Sequence, residues 1–214
     1  MSQLPPPGTS PAEFFERVIP RMFQSNPPPD EARQLDVKLG VRLEGEGGGE
    51  WSYHLKGGEL SVSRGSTEDS AFTLVQSVAD WRGALWEGRG GAFGKQSQAL
   101  FTPGGGAAGP GAMAPAALQQ LQMLRGLIRM VVTGGPGGDW AVGFKLGPGP
   151  IPDPPTTTVT VAAADAEAME RGELDPMQAF MSGRIQIAGD MTLLMQMQAI
   201  QMQAQAMAAA QKKA

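Results

Sequence analysis

The 214-residue sequence predicts an α+β fold made of two tandem copies of one unit. Three observations predict it. A helical apolar spacing followed by period-two alternation occurs twice along the chain. The two alternating segments align without a gap, because 89 residues separate Leu39 from Ile128 and also Trp51 from Trp140. A Gly/Ala/Pro run at 103–114 stands between the copies as a linker.

Residues 1–10 are polar and Pro-rich and read as a disordered lead-in, without the apolar core of a secretory signal. The first unit then spans 11–102. Ser10-Pro11-Ala12-Glu13 supplies an N-cap, a proline at the first helical position and an acid at the third. Phe14, Phe15, Val18, Ile19, Met22 and Phe23 follow at helical spacing, and Pro27–Pro29 ends that helix. Val37, Leu39, Val41 and Leu43 alternate as a half-buried strand, and Gly45–Gly49 turns the chain into Trp51, Tyr53 and Leu55. Leu60 with Val62, and Phe72 with Leu74, continue the sheet. A short helix from Ser77 carries Val78, Trp81, Leu85 and Trp86.

The second unit, 115–214, restarts the pattern. A helix from Pro115 carries Leu118, Leu121 and Leu124; then Ile128, Met130 and Val132 alternate, Gly134–Gly138 turns, and Trp140, Val142 and Phe144 alternate again. Leu121, Leu124, Ile128 and Val131 also fit a helical stripe, so 125–132 reads as strand or helix. The pairs Gly45/Gly134, Gly49/Gly138, Glu50/Asp139 and Lys56/Lys145 fall at the same offset, which favours duplication over two unrelated hairpins. A strand at 157–161, helices at 165–171 and 176–182, a strand at Ile185 and Ile187, and a long Met/Gln/Ala helix capped by Asp190 complete the unit.

Composition narrows the function. The net charge is −4 and Lys and Arg do not cluster, which argues against a nucleic-acid surface. No cysteine is present, so thiolate chemistry, disulfides and Cys-ligated zinc are out, and a reducing compartment fits. No apolar run approaches the ~20 residues that span a bilayer. His54, the single histidine, alternates onto the outer side of its strand and lacks the partners of a triad or metal site. Glu167, Glu170, Glu173 and Asp175 crowd beside Arg171 and read as a solvated face rather than an acid–base pair. None of the Gly-rich turns has the form of a phosphate cradle. Trp51 and Trp140 could contact a ligand but read more readily as core packing at a hairpin start; of Trp81 and Trp86, five residues apart, one reads as core and the other as packing between the units.

The segment Gly172–Asp190, GELDPMQAFMSGRIQIAGD, resembles the signature of the sterol carrier protein 2-like sterol-binding domain. It has a Gly-x-Leu-x-Pro turn, an Ala-Phe-Met-x-Gly helix end, a basic-apolar-x-apolar strand and a Gly-Asp start to the closing helix. The first unit keeps only an echo, Ala92-Phe93-Gly94-Lys95, and no closing helix follows it. The resemblance implies, for each unit, a roughly five-stranded, mainly antiparallel sheet with helices on one side enclosing an apolar cavity, the second copy intact and the first degenerate. It implies non-enzymatic binding or transfer of a sterol, fatty acid or acyl ester, with no cofactor and no metal. The expected lipid-binding wall is Phe180, Met181, Ile185 and Ile187, and the expected lid is the Met-rich helix through Met191, Leu193, Leu194, Met197 and Ile200.

That helix carries two apolar stripes. Leu193, Met197, Ile200, Ala204 and Met207 form one; Met191, Met195, Ala199, Met202 and Ala206 form another on roughly the opposite side. Two stripes suggest two apolar neighbours, so the helix is expected to lie sandwiched between the units. A rival reading is an interaction module with a filled cavity, docking a second copy or a partner protein through this helix. The C-terminus is not a Ser-Lys-Leu peroxisomal address, and the chain reads as cytoplasmic and bacterial.

Overall fold

Alternation produces strands wherever the sequence shows it. In the computed structural model, which describes residues 4–25, 33–99, 120 and 122–211, these are β1 (Asp36–Glu44), β2 (Gly49–Lys56), β3 (Glu59–Arg64), β4 (Phe72–Ser77), β5 (Gly126–Thr133), β6 (Trp140–Leu146), β7 (Thr157–Ala162) and β8 (Ile185–Gly189). The helices are α1 (Pro11–Glu13), continued through a π-helical stretch Phe14–Val18 into α2 (Ile19–Ser25), then α3 (Val78–Trp86), α4 (Gly91–Ala99), α5 (Ala163–Glu170), α6 (Pro176–Met181) and α7 (Met191–Gln211). Ser10, Ser77 and Asp175 cap α1, α3 and α6 with their side-chain oxygens.

The strands form one eight-stranded sheet in the order β3-β2-β1-β4-β6-β5-β7-β8. This differs from the expected pair of five-stranded sheets. Both predicted hairpins are present: Leu39 faces Tyr53 in β1/β2, and Ile128 faces Phe144 in β5/β6, so 126–133 is strand. The hairpin registers differ by two residues, since Ile128 faces Phe144 and not Val142, the residue 89 positions after Tyr53, but the parallel pairings match. Leu39↔Phe72 runs to Glu44↔Ser77 in β1/β4, and Ile128↔Thr157 runs to Thr133↔Ala162 in β5/β7. In each case a helix starts at the next residue, Val78 or Ala163.

The seam is the antiparallel pair β4/β6, from Phe72↔Leu146 to Val75↔Gly143. It exists because the chain after β6 reads Gly-Pro-Gly-Pro-Ile-Pro from Gly147 and cannot donate a ladder of N–H bonds. No strand equivalent to β3 follows β6, and β4 takes its place beside β6.

One face of the sheet is mostly apolar, with Gln76 and Thr157 the buried polar residues among its strands. Val37, Val41 and Leu43, Trp51, Tyr53 and Leu55, Leu74, Ile128 and Val132, Trp140, Val142 and Leu146, and Val159 and Val161 are all buried there. Helices cover it at two ends. At one end the N-terminal helices, α3 and α5 enclose Phe14, Phe15, Trp51, Trp81 and Trp140. Phe15 stacks on Trp51 with ring centres 4.9 Å apart. Trp140 donates from Nε1 to the carbonyl of Asp80 at 2.9 Å, so a β6 side chain lies under α3. Gly90, at φ +79°, permits this, since a Cβ there would lie 2.5 Å from the Trp140 ring.

Residues 4–10, expected to be a loose lead-in, lie against α3. Trp86 Nε1 donates to Pro5 O at 2.9 Å, Arg82 donates to the carbonyl of Pro7, and Thr9 is buried. Trp86 therefore packs on the N-terminal segment and on Trp81 rather than between two units. The linker at 103–114 and most of the helix from Pro115 lie outside the described residues.

Candidate functional site

At the other end of the apolar face lies a second cluster. Leu35, Val37, Leu55, Ala71, Ile128, Leu146 and Val159 are buried together with Leu193 and Ile200 of α7, and Ile185, Ile187, Leu194 and Met197 pack half-buried around them. Leu193, Met197 and Ile200 are the turns of one helical stripe, so α7 lies with that stripe on β5 and β7. Its start is tied down by Asp190 N donating to Thr156 O at 2.9 Å and by Thr157 Oγ1 donating to Asp190 O.

The described side chains of the second stripe face solvent; that of Ala206, like those of Ala204 and Met207 in the first stripe, lies outside what the structure describes. Met191, Met195 and Met202 are 43%, 64% and 71% exposed, and Ala199 is exposed too. The expected sandwich of α7 between two units is therefore corrected: one stripe covers a sheet shared by both halves, and the other is uncovered.

The structure brings together six of the nine predicted site residues: Ile185, Ile187, Leu193, Leu194, Met197 and Ile200. It does not bring Phe180, Met181 or Met191 with them. Phe180 is 37% and Met181 77% exposed on α6. The cause is the helix phase set by the Asp175 cap, whose carboxylate accepts from Gln178 N at 2.9 Å; this turns Ala179, fully buried, to the inside. Residues that the sequence reading did not assign to the site are Leu35, Val37, Leu55, Ala71, Ile128, Leu146 and Val159. Alternation marked Val37, Leu55 and Ile128 as inward-facing, but it did not reach Leu35 or Ala71.

The side chains of this cluster are apolar. The carboxylates nearby in sequence are engaged elsewhere. Arg171 pairs with Glu167 at 3.7 Å and Glu173 at 2.9 Å, holding the Glu173 carboxyl below its usual range, and Lys95 pairs with Glu170 at 3.3 Å. His54 lies on the polar face beside Asp36 at 2.6 Å, and its partners His54 and Lys56 lower the Asp36 carboxyl to about 2. Among the described residues no cluster of three or more His, Asp or Glu is placed to hold a metal ion. None of their helices is long and apolar enough to cross a membrane.

The polar face carries an open cleft of about 430 Å³ lined by Arg42, Glu50, Arg64, Thr67, Glu68 and Ile151. Within it Arg42 sits 3.4 Å from Glu50, which also accepts from Thr67 N at 3.1 Å, and the Arg64 guanidinium lies over the Trp51 ring, 5.9 Å from its centre. The α7 end of the sheet can therefore bury apolar groups.

The model of the SCP-2 sterol transfer family matches residues 111–202 of this chain. No curated protein matches it. Among solved structures, the sterol carrier protein domain 2 of Helicoverpa armigera is 31% identical over 40% of this chain and 72% of that one, with a TM-score of 0.28. The apo form of sterol carrier protein 2 from Yarrowia lipolytica is 13% identical over 59% of this chain and 88% of its own, with a TM-score of 0.27. The inverting sec-alkylsulfatase Pisa1 from Pseudomonas sp. matches over 90% of this chain but 16% of that one, at 11% identity and a TM-score of 0.22.

Proposed function

The chain belongs to the SCP-2 sterol transfer family through residues 111–202, and on that premise we propose that it binds a sterol, fatty acid or acyl ester beneath α7, without chemistry. The observation that carries this reading is the seating of Leu193, Met197 and Ile200 on a predominantly apolar sheet end. A ligand enters by displacing the half-buried Leu194 and Met197, with α7 hinged at Asp190, where its first turn is bonded to β7. Each ligand methylene moved out of water is worth about 0.8 kcal/mol. Methionine suits a lid that must close over different shapes, because its unbranched thioether repacks readily. A chain without cysteine suits the reducing cytoplasm.

We read the molecule as two copies of one unit fused through their sheets, residues 11–102 and 115–214. Two hairpins at one sequence offset, matching parallel pairings and a helix immediately after β4 and β7 support this reading, while the second hairpin is paired two residues further along. The first copy has no closing helix of its own among the described residues, so a single ligand site per chain is expected.

A second reading has one observation in its favour: the uncovered stripe of Met191, Met195 and Met202 is suited to docking a partner protein. Two neighbouring methionines separate the readings. Met197→Glu places an unpaired charge against the cluster, while Met195→Glu places one in water. Titration with a fluorescent fatty acid should show binding weakened at least about tenfold by Met197→Glu, because burying an unpaired charge costs more than the roughly 1.4 kcal/mol that tenfold represents, and unchanged by Met195→Glu. Equal binding by both variants and the parent places the ligand elsewhere. Binding by neither variant nor the parent favours the partner-docking reading.

A further inference from the structure

We propose that two copies of this chain associate through β8, the edge strand of the sheet, about a two-fold axis at Ile187. β8 ends the strand order, and its only ladder is with β7. Asp190 N donates to Thr156 O, so 156/190, 158/188 and 160/186 are the pairs that exchange hydrogen bonds with β7. The N–H and C=O groups of Ile185, Ile187 and Gly189 then point outward, and among the described residues no backbone partner meets them.

Natural edges are guarded by charge, proline or cover. The opposite edge obeys this: β3 carries Glu59 and Arg64. The five residues of β8, Ile-Gln-Ile-Ala-Gly, carry no charge and no proline. The charges stand just outside it, Arg184 before and Asp190 after, and their placement selects the occupant. In an antiparallel pairing centred on Ile187, all three outward residues find partners: Ile187 with its own copy, and Ile185 with the partner's Gly189, twice. The same register sets Arg184 opposite the partner's Asp190 at both ends. A shift of two residues in either direction loses a bonded pair and both charge pairs. Arg184 already contacts Asp165 through Nη1 at 3.0 Å, and its guanidinium has further donors to offer.

A five-residue edge is short for a stable interface, and apolar area must come from beside it. Phe180 and Met181 on α6, which packs against β8, and Met191 and Met195 on α7 are exposed on the helical side of the same region. Self-complementarity of one patch is what a two-fold dimer requires.

The proposal is independent of any ligand. Sedimentation of the full chain should give a dimer, and Arg184→Glu, which sets two like-charged pairs face to face, should weaken it about tenfold. The chain has no cysteine, so a single introduced thiol reports the register. Oxidised Ile187→Cys should run as a covalent dimer, since paired Cα atoms lie about 5.5 Å apart in such a ladder, within disulfide reach. Ser61→Cys on β3 should stay monomeric under the same oxidation. A parent chain that sediments as a monomer at the highest attainable concentration overturns the proposal. So does a dimer that cross-links at position 61 but not at 187.

Discussion

Equivalent positions in the two halves can meet different fates, and Lys56 and Lys145 show why. Lys56 is solvated and paired with Asp36 at 2.9 Å. Lys145 is 1% exposed, because the loop around Glu68 and the neighbouring β4 cover it; burial pushes its amine down. The sequence places both in register but does not reveal that β6 sits in the middle of a sheet. Trp51 and Trp140 were legible as core from alternation alone, and both are buried. Phe180 was misplaced inward because a helix of six residues gives too few turns to fix its phase by pattern.

Tyr53, the only tyrosine, offers a test at this scale. Its hydroxyl donates to Phe15 O at 2.8 Å in the core, and burial, with Glu16 adding to it, raises the phenol far above its ordinary value. The folded state keeps a proton that the unfolded state loses above about pH 10, so stability is whole below that pH. It falls by about 1.4 kcal/mol per unit above it. Phenolate absorbance should appear only as circular dichroism reports unfolding, and Tyr53→Phe should remove that slope. Phenolate forming near pH 10 in an intact fold would contradict the placement.

At the scale of elements, caps and periodicity carried most of the fold. Ser10, Ser77 and Asp175 start their helices where the sequence puts them, and both hairpins turn at their glycines. α7 was harder. Apolar residues on both its sides say that two surfaces are apolar, not which one is covered. The sheet supplies a single apolar bed, so one stripe is buried and the other is left in water. Ending the chain after Gly189 should expose Ile128, Leu146 and Val159. It should also remove the burial of Leu193 and Ile200, about 3–6 kcal/mol together. Strong binding of a hydrophobic dye and a lowered Tm are expected. A truncated chain with unchanged Tm and no dye binding would show α7 to be dispensable to the core.

For the whole molecule, two hairpins at one offset were visible in the sequence, but their union in one sheet was not. The prolines from Pro148 onward excluded a third strand after β6; nothing local announced that β4 would fill its place. Pairing across 70 residues or so is decided by which edges remain open once each half has formed, not by propensity. If β4 and β6 complete each other, residues 1–102 and 115–214 expressed separately should aggregate through their open edges, and expressed together should co-purify as one soluble particle. Two independently soluble and non-associating halves would contradict a shared sheet.

The central claim, a lipid seat beneath α7, is tested most directly by native mass spectrometry of the full chain purified from cells without detergent. The account predicts a mass above that of the polypeptide by one sterol- or acyl-sized ligand per chain, lost on delipidation and regained when fatty acid is added back. A clean polypeptide mass that no added fatty acid, sterol or acyl ester changes would contradict it.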